Sequence, residues 1–138
     1  MTAAENKAIV TAIYDALAEG DGRPFIEAMA EDFTWTAEGS NSWGRTWQGR
    51  DIVRRDLFRP LFDQFATTYR CRAHRIIAED DTVVVLARGE VTTKSGKPYN
   101  NSYCLVIRMR DGKMAELHEY LDTQLVAEVL EPIELVEG

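Results

Sequence analysis

Arg88 and Glu90 stand two residues apart in the run Val85-Leu86-Ala87-Arg88-Gly89-Glu90-Val91. Alternate side chains of an extended chain share a face, so a guanidinium and a carboxylate emerge there side by side. Glu119 lies in a second alternating run, Leu117-His118-Glu119-Tyr120-Leu121. Carboxylates near a guanidinium need not share a pKa. The better-paired one stays ionised, while one set against apolar walls is raised and holds a proton. Acid–base catalysis needs such a split pair. Alternation alone does not place Glu119 beside Arg88 and Glu90. Nor does it say which set of alternating residues faces inward.

Other chemistry is thinly supplied. The two cysteines, Cys71 and Cys104, form no Cys-x-x-Cys or Cys/His spacing, and the two histidines, His74 and His118, are too few for most histidine sites. No metal and no cofactor are expected, and both thiols read as buried and free. Arg70-Cys71-Arg72 with His74-Arg75 reads as a solvated or interfacial sheet face. Asp122 reads as a helix N-cap before it reads as a base.

The elements that position these residues follow from periodicity. Ile9, Ile13, Ala16 and Leu17 make an apolar stripe on a helix over about Glu5–Glu19, closed by Gly20. Asp21-Gly22-Arg23-Pro24 turns into a short second helix carrying Phe25 and Met29. Phe33–Ala37 alternates as a short strand. The polar loop over Glu38–Gly49 carries Trp43 and Trp47, so it should fold back as a cover. A helix follows from about Asp51, with Pro60 placed to kink it or to start another. The period then becomes two over Thr68–Ile77, Thr82–Thr93, Tyr99–Arg110 and Met114–Leu121, with Asp111-Gly112 as a hairpin turn. A terminal helix runs from Asp122 to about Leu130, and the acidic tail from about 131 carries no assignment. Helices segregated from an antiparallel meander argue an α+β fold: a curved antiparallel sheet, cone-shaped, with helices packed on its concave face.

The 138 residues fit a single domain over 1–138, and 45% apolar with 28% charged residues allows a packed core. A net charge of −7 repels phosphate backbones, so no nucleic-acid partner is expected. No apolar run is long enough to span a bilayer, so no membrane partner is expected. The N-terminus lacks a basic start and an apolar core, so no signal peptide is expected and the location reads as cytoplasmic.

Tyr99-Asn100-Asn101-Ser102-Tyr103-Cys104, Arg108–Met114 and Glu119-Tyr120-Leu121-Asp122-Thr123 resemble the SnoaL-like branch of the nuclear-transport-factor-2-like superfamily. Tyr14–Asp21 and Met29–Phe33 agree, and the resemblance covers about residues 5–130. It implies a cystatin-like cone with a deep pocket for a small apolar molecule, and a homodimer through the outer sheet face. Around the pocket the sequence is most similar to limonene-epoxide-hydrolase-like members. That match places Arg88, Glu90 and Glu119 in the pocket as a catalytic trio, Glu119 as base and Glu90 as acid, with Leu86, Leu117 and Leu121 beside them. Tyr14 matches the oxyanion-stabilising Tyr of ketosteroid isomerases, and Trp35 joins it on the pocket wall. The departures are at the first strand. Trp35 and Ala37 replace the water-holding Tyr and Asn of the hydrolases, and Ala37 also stands where the isomerases carry their Asp. The expected function is a cofactor-free isomerase, cyclase, lyase or hydrolase. The alternatives are a non-catalytic binding module and a dimeric interaction protein. His118 and Tyr120 are expected on the outer face.

Overall fold

Thr2 opens the first helix with a capping box. Its side chain accepts from the Glu5 N–H, and the Glu5 carboxylate accepts from the Thr2 N–H. The structure is a computed structural model and describes residues 1–134, so the last four residues of the acidic tail lie outside the described residues. Helix α1 (Ala3–Ala18) ends at Gly20, whose φ of 82° suits glycine at this position. Its buried side is Asn6, Val10, Ile13 and Tyr14. Ile9, Ala16 and Leu17 only flank that side, so the apolar stripe is rotated toward Val10 and Tyr14. Helix α2 (Arg23–Ala28) has Pro24 in its first turn. Met29 belongs to the next strand, not to this helix.

Strand β1 (Met29–Ala37) is longer than the alternation predicts. The loop after it returns as β2 (Thr46–Gln48), antiparallel to β1. Helix α3 (Arg50–Ile52) runs into a π-helical stretch over Val53–Phe58 and then α4 (Arg59–Phe62), which carries Pro60 in its first turn. Proline has no N–H to donate and so starts a new turn, and the wide π turn lies directly before it.

The meander follows as β3 (Arg70–Glu79), β4 (Thr82–Glu90), β5 (Ser102–Arg110) and β6 (Lys113–Leu121), and α5 (Thr123–Val129) closes the order. Asp111 and Gly112 both have positive φ, as a tight hairpin requires. Asp122 caps α5, accepting from the N–H groups of Gln124 and Leu125.

The six strands form one curved, unclosed sheet in the order β2-β1-β6-β5-β4-β3. The β3–β6 meander is antiparallel throughout, as expected, and β1 joins it by running parallel to β6, which makes the sheet mixed. A hairpin fixes antiparallel direction through its turn, but β1 reaches β6 only after most of the chain has intervened. Its direction is therefore set by packing. Helix α1 packs against β3 and β4, and the α3 turn packs against β1.

Asn101 joins the end of the meander to α5. It is fully buried. Its amide donates to the Tyr99 hydroxyl and the Asp122 carbonyl, both at 3.2 Å. Its oxygen accepts from the N–H of Ser102 at 2.8 Å and of Asp122 at 3.0 Å. All the hydrogen-bonding capacity of the side chain is used. This also ends β5 at Ser102, where the alternation alone extends the strand back to Tyr99. Replacing Asn101 with Ala leaves several buried groups unpaired, so Asn101→Ala is expected to lower stability by about 2–4 kcal/mol in urea denaturation. A loss below about 0.5 kcal/mol would show that water or relaxation replaces these bonds.

Candidate active site

The inner face of β4 is Val83, Val85, Ala87 and Gly89, all buried. Alternation therefore sends Leu86, Arg88 and Glu90 to the outer face. Arg88 and Glu90 are exposed there, opposite Arg72 and Arg70 of β3, and Leu86 is half-buried. Glu119 faces inward from β6 and lines the cavity. The sheet itself separates it from Arg88 and Glu90, so the expected trio does not assemble and Glu90 is not the paired acid. The signal was present in the sequence: one set of β4 residues is small and wholly apolar, which suits a core, and the other carries the charges.

The cavity has a volume of about 480 Å³, is open to one side, and is lined by the sheet, α1, α2, the helical stretch over 54–62, the covering loop and α5. Tyr14, Trp35, Leu121 and Glu119 line it, as expected. Leu117 faces inward but is buried in the core beneath it. Sequence reasoning missed Tyr69, Cys71, Tyr99 and Tyr103 as lining residues. Tyr103 is on the inner set of β5, and Cys71 lies opposite Gly89. A Cβ at Gly89 would meet Tyr69 and Tyr103 ring carbons at 3.1 Å, so this glycine makes room for both phenols.

The covering loop is tied to the far end of the chain. Trp43 Nε1 donates to the Glu131 carbonyl at 2.9 Å, and the Asn41 amide donates to the Thr123 carbonyl at 3.2 Å. Trp43 and Trp47 are both buried, as a folded-back cover requires. Trp35 is held by Phe25, Phe33 and Phe58, with ring centroids at 5.9, 6.4 and 5.6 Å.

Glu119 is half-buried as a residue because it faces the cavity, while its carboxyl group is buried. Burial pushes its pKa from the ordinary 4.5 up to about 7. The indole N–H of Trp35 offsets part of that rise. The contact falls short of a hydrogen bond, since Trp35 Nε1 is buried with no hydrogen-bond partner among the described residues. Ala37 sits beside Glu119 across the β1–β6 pair, so no second carboxyl group flanks it there. The phenols of Tyr14, Tyr69 and Tyr103 are raised well above their ordinary value by burial, Tyr99 rises to about 12, and the Cys71 thiol rises to about 11. At neutral pH these groups remain protonated donors, and Glu119 is poised to exchange a proton. A thiol raised this far is a poor nucleophile.

The remaining candidates lie outside the cavity's chemistry. His118 is on the outer face, where its Nε2 meets Glu38 Oε1 at 2.6 Å and its ring stacks on Tyr120 at 4.7 Å. Cys104 is half-buried on that face, not fully buried as expected, and both cysteines are free. No group of His, Cys, Asp and Glu among the described residues is arranged to hold a metal ion, and no described helix is long and apolar enough to cross a membrane.

A family model described as a SnoaL-like domain matches residues 10–117. The chain belongs to this family. No curated protein matches it. Among solved structures, this SnoaL-like domain is similar to an NTF2-like protein from Burkholderia thailandensis. That likeness has 25% identity and a TM-score of 0.78, covering 96% of this chain and 99% of that one. It is also similar to a protein described as a SnoaL-like polyketide cyclase from Jannaschia sp., at 17% identity and a TM-score of 0.76, over 94% of this chain and 93% of that one. A third is described as an isomerase from Bacillus subtilis, at 19% identity and a TM-score of 0.76, over 95% of this chain and 100% of that one. These likenesses bear out the nuclear-transport-factor-2-like architecture. The family match ends before Glu119, so the case for that residue rests on the cavity.

Because folding raises the Glu119 pKa, the folded SnoaL-like domain holds that proton more tightly than the unfolded chain does. The associated stability is complete below about pH 4.5 and is lost as pH rises to about 7. Between pH 5 and 8 the wild type should lose about 2–3 kcal/mol relative to Glu119→Gln in urea denaturation. Parallel stability–pH curves for the two proteins would overturn the assignment.

Proposed function

We propose that this SnoaL-like domain catalyses cofactor-free proton transfer at carbon in a small, largely apolar ring compound, as an isomerase or cyclase does. The observation that carries the reading is the deeply buried Glu119 carboxyl group with a pKa near 7 on an apolar cavity wall. A general base works best with its pKa near the working pH, and the aromatic walls keep water away from the reacting atoms. In the first step Glu119 takes a proton from carbon. The C–H electron pair becomes a new π bond, and the displaced π pair moves onto an adjacent oxygen. In the second step the carboxyl group returns the proton to the same or another carbon; in a cyclase the enolate carbon instead attacks a second carbonyl carbon of the same molecule, the π pair of that carbonyl moves onto its oxygen, and that oxygen takes the proton from the Glu119 carboxyl group. Neither step needs an external oxidant or reductant. Leu121 and the aromatic side chains supply apolar contact, and the protonated phenols supply donors. Among the solved structures reported above, the ones described as a polyketide cyclase and an isomerase lend support at the level of fold.

The test is deuterium wash-in at the acidic C–H groups of 2-tetralone and 1,3-cyclohexanedione in D2O, followed by proton NMR. Wild type should accelerate exchange, with a rate that rises through an apparent pKa near 7, and Glu119→Gln should lower that rate by about 100-fold or more. Binding of either compound without accelerated exchange would replace this reading with a non-catalytic binding module.

We further propose that the protein pairs with a second copy through the outer sheet face. Ile77 and Tyr120 are 44% and 47% exposed there, beside half-buried Val84, Leu86, Cys104 and Val106. The helices pack on the other face, so this apolar row has no cover among the described residues. Light scattering should give twice the 15.6 kDa chain mass, and Tyr120→Lys should shift it toward one. A monodisperse wild-type monomer at high micromolar concentration would refute this.

A further inference from the structure

The helical stretch over 54–62 lines the cavity with Arg54, Leu57, Phe58, Leu61 and Phe62. Steps of three and four residues put these on one face, and Arg54 is the charged member of an otherwise apolar set. Arg55, Asp56 and Arg59 line a separate depression instead. A guanidinium beside leucine and phenylalanine must keep its head in water, and Arg54 is exposed, so it marks the open side of the cavity. Arg23 and Glu27 of α2 and Phe62 are exposed lining residues too, and belong to the same rim. Glu38 is exposed on the covering loop, where His118 engages its carboxylate. Arg23 is also engaged, giving Nε and Nη2 to the two oxygens of Asp21 at 3.0 and 3.1 Å. The Arg54 guanidinium has no ion-pair partner among the described residues.

We infer that Arg54 determines specificity by receiving a carboxylate, and that the substrate is an apolar ring compound carrying one carboxylate on a short side chain. The inference rests on the proton-transfer reading above and names its substrate class. A guanidinium fork meets a planar carboxylate with two parallel N–H···O bonds. At the deep end of the cavity the same carboxylate would lose its hydration against apolar walls and oppose the charged form of Glu119. The ring therefore enters first and the carboxylate stays at the rim, which orients the ring toward Glu119. Glu27 on that rim disfavours a doubly charged group such as a phosphate dianion. The net charge of −7 repels anions at a distance, so a preference for one must come from a local contact.

The test compares 2-naphthylacetate with 2-naphthylacetamide, a neutral probe of nearly the same shape, by calorimetric titration at neutral pH and low salt. Wild type should bind the acid about fivefold more tightly than the amide, the size expected of a guanidinium–carboxylate contact at an exposed rim. Arg54→Gln should bring that ratio close to one while changing amide affinity less than about twofold. Arg54→Lys, which keeps the charge and loses the fork, should retain part of the preference, and added salt should narrow it in wild type. Arg23→Gln should leave the ratio as it is, because Asp21 already engages that guanidinium. Equal binding of the two probes by wild type would overturn the inference. So would a preference that survives Arg54→Gln, or one that Arg23→Gln removes as fully. Failure of both probes to bind would overturn the ligand class. The underlying reading fails differently: the acid preference would persist and depend on Arg54, while Glu119→Gln would leave 2-tetralone exchange at the wild-type rate. Circular dichroism and a thermal melt check that each variant is folded, and the wild-type acid-to-amide ratio is decisive even if one is not.

Discussion

Strands β1 and β6 come from opposite ends of the chain, and their parallel pairing holds the site together. It seats Trp35 against Leu117 and Ala37 against Glu119, so the indole and the carboxyl group share one wall. It also carries β2 and the tryptophan loop to the edge of the sheet, where the loop covers the cavity. Without this pair β6 would be an open edge, and Glu119 would face water with an ordinary acidity. Asn101 supports the same arrangement from the other side, by tying β5 to the start of α5 through bonds on both ends of its amide.

Putting a carboxyl group in an apolar cavity is costly, and the cost falls on the charged form. That penalty tunes Glu119 toward neutrality, with no cation involved in its shift. The phenols and the thiol nearby respond to the same burial in the same direction and stay protonated. One physical effect thus yields a group that exchanges protons near pH 7, surrounded by groups that only donate hydrogen bonds. The tyrosines reach this wall because Gly89 has no side chain to exclude them.

Much of the fold was legible along the chain. The helical period of α1, the glycine that ends it, the Asp111-Gly112 turn and the Asp122 cap are local signals, and each appears where local physics puts it. Glu119, Tyr14, Trp35 and Leu121 were legible as cavity residues through a resemblance to a family of known architecture. Arg88 and Glu90 were misplaced by the same resemblance. Their strand has two faces, and the wholly apolar Val83, Val85 and Ala87 set claims the inner one.

The sequence by itself determined where elements begin and end, because caps, turns and periodicity act over a few residues. On β4 it also marked one small, wholly apolar set of residues fit for burial. Only the tertiary structure decided the direction of β1, the partner of Glu119 across the sheet, and the acidity of that carboxyl group. Strand direction between distant segments has no turn to fix it. A pKa depends on how much water the assembled walls exclude, and no residue reports that until its neighbours are in place.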